Sequence, residues 1–288
     1  MRTAALPSTG FHPGELAVQH RAGVAPLARR LEGMLEPGGI SGGMAAFLAG
    51  QRFAVLTGRD PGGSLWSSAL LADPGFLRAD ASGNTLHLGA VPRPGDPLAQ
   101  IPAGQEIGVL IIDLARRRRI RVNGYLSATS RSGLEVAVEQ AYGNCPQYIF
   151  PPAAADGRRS EARTEYPGPL LAPAHQAWVT RTQTMFLGTT HPTRGLDSSH
   201  RGGPPGFIHL QGERLWWPDF PGNNMFNSIG NITVDPAAAL LFVDFSTGAT
   251  LQMTGTAEPD WPPTPQPGVP DSTERGVWFS PHTIVEAP

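Results

Sequence analysis

The chain has 288 residues, 40% of them apolar and 16% charged, with a formal net charge of −2, so a sizeable core is within reach and the overall field favours neither nucleic acid nor an anionic membrane. All 22 basic residues are arginine; the lack of lysine excludes a Schiff base to pyridoxal phosphate and a Walker-type phosphate loop, and leaves arginine to make any strong cationic contact to phosphate. The single cysteine, Cys145, excludes an internal disulfide and a multi-cysteine metal site. No apolar run reaches the length of a membrane span, and the first residues hold no sustained apolar signal core, so the expectation is a soluble, cytoplasmic protein.

Residues 1–40 read as an N-terminal helical extension. Leu16, Val18, Leu27, Leu31, Met34 and Leu35 recur at helical spacing over 15–35, with an interruption at Pro26. A short helix is expected at 43–50. Strands follow at 53–57, 66–71, 85–91, 107–114 and 120–127, separated by turn signals such as Asp60-Pro-Gly-Gly63 and Asp73-Pro-Gly75. Residues 133–141 are a helix candidate, leading into Tyr142-Gly-Asn-Cys-Pro-Gln-Tyr148. Residues 151–177, rich in Ala, Pro, Gly and Arg, read as a linker. Strands resume from about 178, at 185–189, 197–202, 207–210, 215–218, 239–245, 250–258 and 277–285. A helix is expected to start near Met225.

The chain repeats itself at a shift of 131 residues. Leu56/Leu187, Pro61/Pro192, Leu65/Leu196, Ser67/Ser198, Ser68/Ser199, Pro74/Pro205, Gly75/Gly206, Phe76/Phe207, Ile101/Ile232, Leu110/Leu241, Asp113/Asp244 and Gly124/Gly255 are identical pairs. They fall at matching turns and strand centres, which points to two copies of one small all-β domain, 41–150 and 178–288. Short, closely spaced strands suit a barrel, and two barrels packed as a pseudo-dimer offer a cleft between them as the ligand site. The arginine run 116–119, with Arg121 beyond it, aligns with a hairpin turn in the second copy and is expected on an exposed turn.

For chemistry, no Gly-x-Ser-x-Gly elbow marks a serine hydrolase, and the histidines lack a paired helical spacing for a metal. Cys145, pinned by Pro146, offers either a thiol facing the cleft or, as a lone cysteine more often does, inert packing. The stretch Asp219-Phe-Pro-Gly-Asn-Asn-Met-Phe-Asn-Ser228 is more specific. Gly222 permits close backbone approach, Asn223, Asn224, Asn227 and Ser228 offer hydrogen-bonding side chains, and a helix start there presents free N–H groups to an anion. The alternative is a plain polar strand-to-helix connection with an Asn cap.

Three ordered motifs, Tyr142-Gly-Asn-Cys-Pro-Gln-Tyr-Ile149, Ser199-His-Arg-Gly-Gly-Pro-Pro-Gly-Phe207 and Pro218-Asp-Phe-Pro-Gly-Asn-Asn-Met-Phe-Asn-Ser-Ile-Gly-Asn231, resemble the pyridoxamine 5'-phosphate oxidase-related, FMN-binding split-barrel family, and within it a two-barrel bacterial branch of flavin-nucleotide-binding proteins. The resemblance implies a mainly β protein: two tandem split barrels of six strands each, with flanking helices and FMN in an interface cleft. Carried over by position, the cofactor-binding residues are Ser199, His200, Arg201, Asp219, Asn223, Asn224, Asn227 and Ser228, with Cys145 nearby and His200 as the catalytic candidate. Many relatives place Arg or Lys where Asn224 and Met225 stand. The first copy keeps Ser68 but has Ala69 and Leu70 opposite His200 and Arg201, so it is expected to have lost the flavin and to form the cleft's other wall. The implied function is an FMN-dependent oxidoreductase acting on an unidentified small molecule or electron donor. The alternatives are a flavin carrier, a barrel holding deazaflavin or haem, and a barrel without a cofactor; self-association into a homodimer is left open.

Overall fold

The computed structural model describes residues 10–143, 146–150, 164–168, 171–263, 265–266 and 274–287. The described chain opens with α1 (Pro13–Arg21), α2 (Ala25–Ala28), a 3-10 helix (Arg29–Leu35) and α3 (Gly42–Ala49). The stretch 15–35 is therefore three short helices rather than one. Gly23, at φ +68°, turns the chain after α1, and Pro26 sits in the first turn of α2, where its missing N–H costs nothing.

The first sheet is built from β1 (Phe53–Arg59), β2 (Leu65–Leu71), β3 (Leu77–Ala79), β4 (Thr85–Leu88), β5 (Gln105–Asp113), β6 (Arg118–Thr129) and β7 (Leu134–Gly143). After β8 (Thr164–Pro167) and α4 (Pro173–Arg181), the second is built from β9 (Thr184–His191), β10 (Gly195–Gly202), β11 (His209–Gln211), β12 (Arg214–Pro218), β13 (Ala237–Val243), β14 (Thr250–Asp260) and β15 (Gly276–Ala287), with α5 (Asn227–Val234) between β12 and β13. Their strand orders are β2-β1-β5-β6-β7-β4-β3 and β10-β9-β13-β14-β15-β12-β11, the same path through each, with β8 added alongside β15. The protein is mainly β, two tandem split barrels, and each main path holds seven strands, one more than the resemblance implies.

Registers coincide as well as orders. Val55 faces Leu110 and Phe186 faces Leu241, both 131 residues on; Leu56 faces Ser68 as Leu187 faces Ser199. A bulge falls between Asn123 and Gly124, and another between Thr254 and Gly255. A Cβ on Gly124 would lie 2.0 Å from the Ala137 carbonyl oxygen, and one on Gly255 2.1 Å from that of Ser280, so both bulges need glycine for close backbone approach.

The continuous apolar runs of the central strands follow from burial on both faces. Ala54 and Leu56 of β1 point into the first barrel's core, with Val109 and Ile111 of β5. The alternate residues Phe53, Val55, Leu110 and Ile112 pack instead against Phe186, Leu241 and Val243 of the second barrel. Each barrel thus has its own core, and a third apolar layer joins them.

Two expectations need correction. Residues 133–141 form β7, not a helix. Leu134 and Val136 are buried while Glu135 and Ala137 are exposed, a period of two, and the strand pairs with both β4 and β6. Pairing on two sides outweighs the helix preference of its Glu and Ala residues. Residues 173–181, expected as the end of a linker and the start of a strand, form α4, which begins on Pro173 and buries His175 and Val179. Among the described residues, no helix is long and apolar enough to cross a membrane.

Candidate functional site

A cavity of about 100 Å³ lies between the barrels. Its second-barrel wall is built from His200 and Arg201 at the end of β10, from Asp219, Asn223 and Asn224 in the loop after β12, and from Asn227 and Ser228 in the first turn of α5. Seven of the residues singled out in the sequence therefore share one cavity. Ser199 stands behind it: its hydroxyl donates to the Leu187 carbonyl at 3.2 Å and accepts from the Ser228 hydroxyl at 3.0 Å. Cys145 lies outside the described residues.

The opposite wall belongs to the first barrel and corrects the reading of the arginine run. Arg116 and Arg117 do occupy the turn between β5 and β6, but Arg119 and Arg121 are strand residues that line the cavity. Two apart on β6, they share a face. Arg121, 7% exposed, donates from Nη1 to both carboxylate oxygens of Asp197 on β10, at 3.1 and 2.9 Å. Nη1 of Arg119 reaches Nδ1 of His200 at 3.1 Å. Arg-Ile-Arg-Val at the head of an expected strand was the signal for an inward-facing pair; alignment with a hairpin turn masked it.

Across the cavity, Arg201 meets Asp219 at 2.9 Å, and Arg275, at the head of β15, meets the other Asp219 oxygen at 3.1 Å. The lining thus sets three guanidinium groups, from Arg119, Arg121 and Arg201, against the single carboxylate of Asp219. His200 does not add to the charge. Burial, reinforced by Arg119, Arg201 and Arg121, holds its pKa well below the usual histidine value. The neutral ring accepts from Arg119 on Nδ1, which puts its proton on Nε2.

The loop before α5 is shaped for close approach. The Asn223 side-chain oxygen accepts from the Met225 N–H at 3.2 Å. Asn224 and Phe226 take left-handed backbone angles, φ +62° and +60°, a conformation that costs a bulky residue such as Phe226 free energy and that clusters at functional sites. The helix expected near Met225 begins at Asn227; its cap, Phe226, makes no side-chain hydrogen bond to the first turn, and residues 226–229 all border the cavity. An uncapped helix N-terminus carries partial positive charge from its orphan N–H groups. At the rim, Tyr148 stacks on Phe220, rings 4.9 Å apart and 15° from parallel.

Fold and cavity together define a double split-barrel protein with a cationic pocket at the barrel–barrel junction. Residues 171–264, from just before α4 to just past β14, match the model of the family described as pyridoxamine 5'-phosphate oxidase. No curated protein matches the chain. Similar solved structures include a single-residue variant of HupZ from Group A Streptococcus, at 14% identity and a TM-score of 0.32, covering 41% of this chain and 100% of its own. A candidate pyridoxamine 5'-phosphate oxidase of Lactobacillus delbrueckii is 14% identical at a TM-score of 0.33, covering 42% of this chain and 97% of its own. An FAD-binding protein of Mycobacterium smegmatis is 11% identical at a TM-score of 0.28, covering 41% of this chain and 94% of its own.

Proposed function

We propose that the cavity holds the phosphate of a flavin nucleotide, FMN, and that the protein is a cytoplasmic FMN-dependent oxidoreductase descended from a duplicated split barrel. The observation that carries this reading is the convergence of Arg119, Arg121 and Arg201 from two barrels on one small cavity beside the uncapped N-terminus of α5. The Nε atoms of Arg121 and Arg201 are buried there without a hydrogen-bond partner among the described residues, so donors remain for an anion. These arginines fill the role that a basic residue at Asn224 or Met225 would otherwise play. At about 100 Å³ the cavity suits a phosphoryl group and is below the roughly 300–1,000 Å³ of sites that enclose whole ligands, so the rest of a flavin would extend outside it.

Bound flavin supplies hydride or electron transfer, while the protein binds it, orients it and sets its electrostatics. Arg119, Arg121 and Arg201 neutralise the phosphate; Asn223, Asn224, Asn227 and Ser228 orient it. Ser199 steadies Ser228. His200, neutral, fixes Arg119 and is a poor acid near neutral pH, which favours a positioning role over proton transfer. That property also supports a second reading, a flavin carrier without catalysis.

Among the described residues, the first barrel shows no equivalent cationic pocket. At Arg121 plus 131 stands Gln252, whose amide donates to Ser68 Oγ at 3.1 Å and to Asp96 at 3.1 Å, and Ser68 donates to Asp96 at 2.5 Å. A carboxylate occupies the place where an anion would sit, so the reading gives one flavin per chain.

The test is the absorption spectrum of the purified protein, with FMN and a deazaflavin offered for rebinding. Retained or rebound FMN supports the reading, and a protein that neither keeps nor takes up FMN overturns it. Bleaching of the bound flavin by NAD(P)H, alone or with a reductase, favours the enzyme over the carrier.

A further inference from the structure

The N-terminal helix lies outside both barrels, yet it is built into the pocket. α1 crosses α5 at two glycines. A Cβ on Gly14 would stand 2.4 Å from the Gly230 carbonyl oxygen, and one on Gly230 would stand 2.7 Å from the Glu15 nitrogen. This close crossing brings Glu15, 3% exposed, against the first residue of α5. One carboxylate oxygen accepts from the His12 N–H at 2.8 Å, closing a capping box, and the other accepts from the Asn227 side-chain amide at 2.5 Å. Asn227 lines the cationic pocket and also a second, polar cavity of about 30 Å³ that Glu15 borders, so it is the wall between them.

We propose that Glu15 is a positioning residue of the anion pocket: it gains a proton when an anion binds, and its change of charge decides which end of the Asn227 amide faces the ligand. Ionised, the carboxylate can only accept, so it draws the Asn227 NH2 toward itself and away from the pocket. Protonated, it donates to the Asn227 oxygen instead, and the NH2 turns to the anion. Both effects have one sign, because losing the negative charge also removes repulsion across Asn227. The balance is one proton taken from solvent for each Glu15 neutralised.

The surroundings keep that proton within reach of neutral pH. Burial raises the Glu15 pKa to about 7, and nearby Asp197 pushes the same way, against the hydrogen bonds from His12 and Asn227 and the charge of Arg194. The other groups facing this cluster are His12 on the approach to α1, neutral because burial and the adjacent His191 lower its pKa to about 4; His191 itself, also lowered; and Tyr142 on β7, raised by burial. His12 and Tyr142 do not change charge near pH 7, and the shift of His191 is away from it. Arg121 lies further in, paired with Asp197.

The inference rests on the anion-pocket reading above. Its test is the affinity for FMN, and separately for inorganic phosphate, between pH 6 and pH 8 in the full chain and in Glu15→Gln. Glutamine donates to the Asn227 oxygen at every pH. The unmodified protein should lose about five- to tenfold in affinity across this range beyond whatever Glu15→Gln loses, the variant staying at the tighter limit. The ligand's own second phosphate ionisation is common to both proteins and cancels in the comparison. Equal pH slopes overturn the proposal. If FMN fails to bind and phosphate shows the contrast, the flavin reading falls and the role of Glu15 stands; if neither ligand binds, both fall. Should Glu15→Gln not fold, Asn227→Ala, which keeps the carboxylate and removes the amide, should bind more weakly and flatten the slope, and an unaltered slope there also overturns it.

Discussion

Arg121 on β6 of the first barrel is buried against Asp197 on β10 of the second, one Nη1 serving both carboxylate oxygens at 3.1 and 2.9 Å. The pair crosses the barrel junction and supplies part of the cationic wall. A buried carboxylate left without its partner is costly, so Arg121→Ala should destabilise the protein by about 3–5 kcal/mol. Arg121→Met combined with Asp197→Asn should recover much of that loss, as measured by thermal or denaturant unfolding of the two variants. A double variant no more stable than Arg121→Ala would show that the charge pair is not what holds the junction.

Arg201 differs, because its partner Asp219 keeps Arg275 at 3.1 Å. Arg201→Ala should therefore spare the fold and weaken FMN binding by about 1.5–3 kcal/mol, the worth of a charge-assisted contact. Fluorescence titration of free flavin reads the change directly. Unaltered affinity would remove Arg201 from the phosphate site.

Stoichiometry follows from the asymmetry between Arg121 and Gln252. Flavin absorbance against protein concentration should saturate at one flavin per chain. Two per chain would mean that the Gln252–Ser68–Asp96 cluster tolerates an anion after all.

The pair His12 and Glu15 should give stability two opposing pH dependences. The folded pKa of Glu15, about 7, lies above its ordinary value of 4.5, so its contribution is full below about 4.5 and lost as pH rises through 7. The folded pKa of His12, about 4, lies below its ordinary 6.5, so its contribution is full above about 6.5 and lost as pH falls through 4. In the intact protein the two slopes offset each other between about pH 4.5 and 6.5. Glu15→Gln should expose the histidine slope, with melting temperature rising over that range, and His12→Gln should expose the opposite one. Matching profiles in the two variants would refute the assignment.

At the crossing of α1 and α5, Gly230→Ala places a methyl within 2.8 Å of the Glu15 Cα, on backbone that cannot step aside. Overpacking of this kind costs about 1–3 kcal/mol, and it should also weaken FMN binding by displacing Asn227. A variant as stable as the parent would mean that α1 is loosely docked.

Much of the fold was legible in the residues. The strands at 53–57, 107–114, 185–189 and 239–245 stand out because both faces are buried, one in a barrel core and one at the junction, which makes them continuous apolar runs. β7 was not legible. Its alternation of Leu134, Val136 and Val138 with Glu135, Ala137 and Glu139 is short, and Glu and Ala favour helices in isolation. β3, only three residues long, left no periodic signal.

The candidate site divides in the same way. The second-barrel wall, from His200 to Ser228, could be read in order because it is two local motifs, a strand end and a loop-to-helix turn. The first-barrel wall could not, because Arg121 meets Asp197 across 76 residues and Asn227 meets Glu15 across 212.

The sequence by itself determined where most of the strands lie, with β3 and β7 among the exceptions, that the two halves share one register at 131 residues, and that the second half carries the Gly/Asn-rich turn; periodicity, turn residues and self-similarity are local or translational properties of a chain. Only the tertiary structure decided that Arg119 and Arg121 face that turn rather than solvent, and that Glu15 of the N-terminal helix stands behind it. Those relations depend on how two sheets and a helix pack, and so on burial and charge pairing between segments with no sequence relation to one another.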